Sequence, residues 1–168
     1  MNALAKLTTP STSLGKCEGL INGSIPFKAG MVELLDATYP PPQNDAYVMR
    51  ATQRAPGPDY STKQLIISFA KGKPNNTYGL FPDAYTVRVL FVDHSATKRQ
   101  VVYTQYMGQA IVAYDPASNN FSGQISVTLE NLDEDTRRTL DLKIDFDAYQ
   151  PAPARRIPRR PSALAVHC

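Results

Sequence analysis

The stretch from Arg138 to Ala148 limits what this chain can become more than any other. Leu140, Leu142, Ile144 and Phe146 alternate there with Asp141, Lys143, Asp145 and Asp147. Successive side chains of an extended strand point to opposite faces, so this segment has one apolar and one charged face. A slip of one residue would bury three carboxylates, which fixes the register as well as the conformation. Phe121 to Leu129 repeats the pattern, with Ile125, Val127 and Leu129 alternating with Ser126 and Thr128.

The rest of the chain reads as further short strands set off by turn signals. Asn22-Gly23 interrupts the apolar runs between Cys17 and Phe27, and that dipeptide tolerates the positive φ angles of a tight hairpin turn. Met31 to Thr38 forms a strand that Tyr39-Pro40-Pro41-Pro42 must end, because proline donates nothing to a ladder. Ala46 to Arg54 follows, then the stiff loop Ala55-Pro56-Gly57-Pro58-Asp59. Lys63 to Ala70 is apolar enough to be central and covered on both faces. Lys71 to Pro82 reads as a loop, and Ala84 to Val92 as a strand with Tyr85, Val87, Val89 and Phe91 on one face. Gly108 separates two strands, Gln100 to Met107 and Gln109 to Tyr114, and either face of these could be the inner one. Leu132 to Thr139 has room for one short helical turn.

Fourteen prolines against nine glycines, with no long helical period, point to an all-β chain. The expected architecture is an antiparallel β-sandwich of about nine short strands, with a closed β-barrel as the alternative. A leader (1–15), a single domain (16–149) and a disordered Pro/Arg-rich tail (150–168) complete the expected organisation. The opening strand with Asn22-Gly23, the segment Asn76-Thr77-Tyr78-Gly79-Leu80 and the final pair built on Phe121-Ser122-Gly123 resemble small bacterial β-sandwich proteins of unassigned function. That resemblance covers most of the domain and implies the sandwich fold. Many members of the group are exported lipoproteins.

The net charge of +3 divides unevenly. Residues 150–168 hold Arg155, Arg156, Arg159 and Arg160 and no acid, so the remaining residues sum to −1. Any attraction to a polyanion therefore belongs to the tail rather than to a basic face of the domain. Lys16 stands where a lipoprotein cleavage site ahead of Cys17 needs a small residue, and no signal-peptide core is evident. The expectation is a cytoplasmic protein with no membrane span. Two cysteines, Cys17 and Cys168, are too few for a disulfide framework and are expected as free thiols.

Each candidate site has a plainer competitor. Asp93-His94-Ser95 holds the residue types of a nucleophilic triad, but triad members converge from separate elements. His94 and His167 are the only histidines, too few for a histidine metal site. Glu130 to Asp135 offers oxygen ligands yet lacks the glycine and distant glutamate of a calcium loop, and reads as a solvated acidic turn. Asp141, Asp145 and Asp147 are carboxylates on a strand face, spaced by about 7 Å per two residues. Tyr39, Tyr60, Tyr78 and Phe81 fall in or beside proline-rich loops and are the candidate binding residues.

The leading functional expectation is a non-enzymatic binding or assembly module, contacting an unknown protein or small-molecule ligand through loops or a sheet edge and needing no cofactor or metal. A carboxylate-dependent hydrolase acting on a small or carbohydrate substrate is the second reading. The third makes the arginine tail a tether to nucleic acid or an acidic partner.

Overall fold

The computed structural model describes residues 14–57, 61–96, 99–132 and 138–151. Ten strands follow one another: β1 (Gly15–Ile21), β2 (Ile25–Lys28), β3 (Met31–Thr38), β4 (Asp45–Arg54), β5 (Thr62–Ala70), β6 (Asn76–Gly79), β7 (Val87–Ala96), β8 (Arg99–Asp115), β9 (Asn120–Asn131) and β10 (Arg138–Tyr149). No helix occurs among the described residues, so none is there to cross a membrane. Residues 1–13 of the expected leader, 152–168 of the expected tail and most of the helical turn expected over 132–139 fall outside the described residues, while Gly15, expected in the leader, already belongs to β1.

All ladders are antiparallel and join into a single sheet of order β2-β1-β10-β9-β8-β7-β5-β4-β3, with β6 added beside β8. This corrects the expectation of two separate sheets: the structure is one strongly curled half-barrel. The curl brings distant strands face to face. Phe27 of β2 meets Phe91 of β7 edge to face at 6.1 Å, and Phe69 of β5 stacks on Phe121 of β9 at 5.8 Å. A local alternation cannot distinguish one folded sheet from two packed sheets, because both put the same residues inside. The two ends of the sheet path, β2 and β3, are consecutive in the chain and joined only by Ala29 and Gly30. Leu14 ties β3 to β10, its N–H donating to Val32 (3.1 Å) while its carbonyl accepts from Tyr149 (2.9 Å).

The concave face holds the core. Leu142, Ile144 and Phe146 of β10 are buried with Ile125, Val127 and Leu129 of β9, as the alternation requires. The Asn22-Gly23 turn forms with φ of 52° and 74°, closed by Ser24 N–H to the Ile21 carbonyl at 3.2 Å. Asn22 then reaches 119 residues along the chain: its N–H donates to the Asp141 carbonyl (2.8 Å) and its Oδ1 accepts from the Asp141 N–H (2.9 Å). Strand β5 is central, between β4 and β7, with Leu65, Ile67 and Phe69 inside.

Two departures from the sequence expectation have one cause. Gln100 to Met107 and Gln109 to Tyr114 are one seventeen-residue strand, and Asn76 to Gly79, expected as loop, is the strand β6 beside its second half. β8 pairs with β7 only as far as Thr104, then with β6 from Gln109 onward. At the changeover the ladder with β9 skips Tyr106, a bulge that turns the strand. The Gln105 side chain, 1% exposed, fills the seam: its Oε1 accepts from the Val89 N–H (2.8 Å), and its Nε2 donates to the carbonyls of Phe81 (2.7 Å), Ala84 (3.1 Å) and Val87 (3.3 Å). One amide thus replaces the backbone partner that β7 loses when β6 takes its place.

Candidate functional site

The outer face of β1, β10, β9 and β8 is built in cross-strand rows set by their registers. Asn22 beyond the end of β1, Asp141, Thr128 and Met107 form the first row; Leu20, Lys143, Ser126 and Gln109 the second; Glu18, Asp145, Gln124 and Ile111 the third; Lys16, Asp147, Ser122 and Ala113 the fourth. Short side chains on β9, namely Ser122, Ser126 and Thr128, lower the middle of this surface, and Gly108 lets β8 close up on β9. At Gly108 a Cβ would fall 2.3 Å from the Ser126 carbonyl oxygen, so the strands approach there only because the side chain is missing. Two adjoining depressions result, of about 530 Å³ over the first two rows and about 320 Å³ over the second and third, with Ser126 and Lys143 common to both. They form one open trough.

Its walls are apolar and its floor polar. Leu20, Met107 and Ile111 are 39%, 56% and 49% exposed, although they sit within strands. Asp141 accepts from the Thr128 hydroxyl (2.7 Å). Asp145 and Glu18 face each other directly across β10 and β1, two like charges with no ion pair between them and any cation among the described residues. Asp147 is bound by Asn120 and by the Tyr149 hydroxyl (3.0 Å), which holds the Tyr149 phenol above its ordinary pKa.

A second cluster closes one end of the core. Tyr47 of β4 stacks on Tyr114 of β8 at 3.6 Å, and Lys71 lies 4.9 Å from the Tyr47 ring while pairing with Asp36 at 3.0 Å. Hydrogen bonding to Asp36 raises the Lys71 pKa, and burial, with Tyr47 next, raises that of Tyr114. A depression of about 250 Å³ lies among Asp36, Thr38, Asp45 and Lys71. Its groups satisfy one another, with Thr38 donating to Asp45 at 2.7 Å, so it reads as a polar plug at the mouth of the half-barrel.

The aromatic residues singled out from the sequence are dispersed. Tyr78 packs inward, its ring 5.8 Å from Phe69 and its hydroxyl donating to the Pro74 carbonyl. Tyr39 lies on the outer face with Ile66, Arg88 and Leu90, lining a depression of about 220 Å³. Phe81 is exposed beside Gly79 on the β6–β7 connection. Tyr60 and the arginines Arg155, Arg156, Arg159 and Arg160 lie outside the described residues. In Asp93-His94-Ser95 the carboxylate accepts from the N–H and hydroxyl of Ser95, and His94 is exposed. Glu130 and Asn131 are buried rather than solvated, which corrects the expected acidic turn at its first two residues, while Asp133, Glu134 and Asp135 lie outside the described residues. Cys17 is a buried free thiol, and that burial, with Glu18 beside it, pushes its pKa up to about 12.

Leu20, Met107 and Ile111 were not among the residues the sequence picked out. Strand β8 offered Ala110 and Val112 against Gln109 and Ile111, and composition alone does not say which pair is inside. Among the described residues no group of three His, Cys, Asp or Glu is arranged to hold a metal ion. Comparison of the chain with protein-family models, with curated proteins and with solved structures finds no match.

Proposed function

We propose that the protein is a non-enzymatic binding or assembly module whose contact surface is the trough across β1, β10, β9 and β8. The observation behind this reading is the exposure of Leu20, Met107 and Ile111 along a depression floored by Lys143, Asp141 and Asp145. Large apolar side chains left exposed within strands, gathered about a depression with a few polar groups, suit a contact surface. The hydrolase reading has less support. Asp141 is engaged by Thr128, and Lys143 stands between Asp141 and Asp145 on the same face.

The experiment compares the intact protein with a Met107→Asp, Ile111→Asp double variant. Both are immobilised and exposed to extract of the source cells, and self-association is followed by sedimentation over a range of concentrations. The wild type should retain a partner or self-associate, and the double variant should do neither while keeping its melting temperature. Equal behaviour of the two proteins would remove the trough as the contact surface.

A further inference from the structure

The trough and the arginine tail carry matching patterns. On β10 the outer face reads Asp145, Lys143, Asp141, with Glu18 of β1 opposite Asp145. The tail reads Arg155-Arg156, Ile157-Pro158, Arg159-Arg160. The two arginine pairs are four residues apart, as are the two aspartates. At about 3.1 Å per residue for a proline-rich extended chain and about 3.4 Å for an antiparallel strand, the separations are about 12 Å and about 14 Å. The uncharged Ile157-Pro158 falls level with Lys143, so the one cation on that line of the trough meets no like charge.

The point of departure also fits. Tyr149 and Gln150 are still bound, to the carbonyls of Leu14 (2.9 Å) and Asn119 (3.0 Å), so the chain leaves the sheet at Pro151 beside the Asp147 row. Arg155 lies four residues beyond Pro151, and Asp145 lies four residues before Tyr149. A chain that turns back at Pro151 and runs antiparallel over β10 therefore brings the first pair to Asp145 and Glu18 and the second to Asp141. Resting on the reading of the trough as a contact surface, we infer that residues 152–168 of the same chain dock there, covering Leu20, Met107 and Ile111 until a partner displaces them. Tethering supplies an effective concentration in the millimolar range, so weak, exposed ion pairs suffice to hold the segment.

The test places a spin label at the far end of the proposed path. The full chain carries Ala163→Cys for the label and Cys168→Ser; Cys17, 2% exposed, stays unreactive while the protein is folded. Antiparallel docking in this register brings Arg159 to the Asn22 row, about 27 Å along β10 from Tyr149, where the tail emerges, and residue 163 about 12 Å beyond that row. Amide signals of Gly23, Met107 and Thr128 should broaden at about 20 mM salt and recover at least about fivefold at about 500 mM, as screening of exposed charges requires. The Asp141→Lys, Asp145→Lys variant should lose the broadening. So should a chain with the four tail arginines changed to glutamine, which leaves the domain untouched. No broadening in the first row, or broadening indifferent to salt and to both variants, would overturn the inference. Broadening that appears only between labelled and isotope-enriched molecules in a mixture would overturn it in favour of a second copy. The trough variants Met107→Asp and Ile111→Asp test the contact surface separately, so failure of the tail does not stand in for failure of the trough.

Discussion

The two halves of the sheet share one core but treat their outer faces differently. Over β4, β5 and β7 the outer face is covered. Val48 and Ser68 are buried there, Gln43 donates to the Ser68 hydroxyl at 2.7 Å, and Arg88 reaches the carbonyls of Pro82 (2.8 Å) and Ala84 (3.1 Å). The loops that follow β3 and β6 are thereby held down on the sheet. Over β1, β10, β9 and β8 no described loop does this, and apolar residues stand exposed beside charges. An outer-face position is therefore a structural position in one half and a surface position in the other, which is why the contact surface is assigned to the bare half.

Substitutions can break that comparison, and the largest effect belongs to the core that both halves share. Ile144→Asp should destabilise the protein by about 4 kcal/mol, since it buries an unpaired carboxylate; an unchanged melting temperature would show that β10 presents its other face inward. Val48→Asp, on the covered outer face, should cost about 3 kcal/mol for the same reason. Denaturant midpoints close to wild type would mean that this half is as open as the other.

Gln105→Leu should cost about 2 kcal/mol, because it leaves the Val89 N–H and the carbonyls beside it without their partner at a buried seam. Hydrogen exchange should show the loss first at Val89 and the β6–β7 connection. Gln43→Ala removes one buried hydrogen bond and should cost about 1 kcal/mol. The smallest effect sharpens the contrast: Ile111→Asp, chemically the same kind of change as Val48→Asp, should shift stability by no more than about 0.5 kcal/mol. A cost equal to that of Val48→Asp would mean that the outer face of β8 is built into the fold as firmly as that of β4, which a tail held by weak, exposed ion pairs does not bring about.

Strand faces were legible in the sequence wherever alternation was strong. Leu142, Ile144 and Phe146 lie inside, and the Asn22-Gly23 turn has the φ angles its residues suit. Where a strand offered apolar residues on both sides, as β8 does, the sequence left the choice open. The candidate aromatics were chosen for their loop positions, and Tyr39, Tyr78 and Phe81 went to three different surroundings because packing partners, not loop membership, decide where a ring lies.

By itself, then, the sequence determined the all-β class, most strand positions and the register face of β9 and β10, because a two-residue period and a tight turn are written in neighbouring residues. Only the tertiary structure decided that the strands form one curled sheet, that β8 changes partner at Gln105, and that Leu20, Met107 and Ile111 share a trough. Each of these depends on pairings between residues far apart in the chain, such as Asn22 with Asp141, Gly19 with Ile144 and Asn76 with Val112. No local pattern encodes a pairing of that kind, because the energy that selects it comes from burying the whole concave face at once.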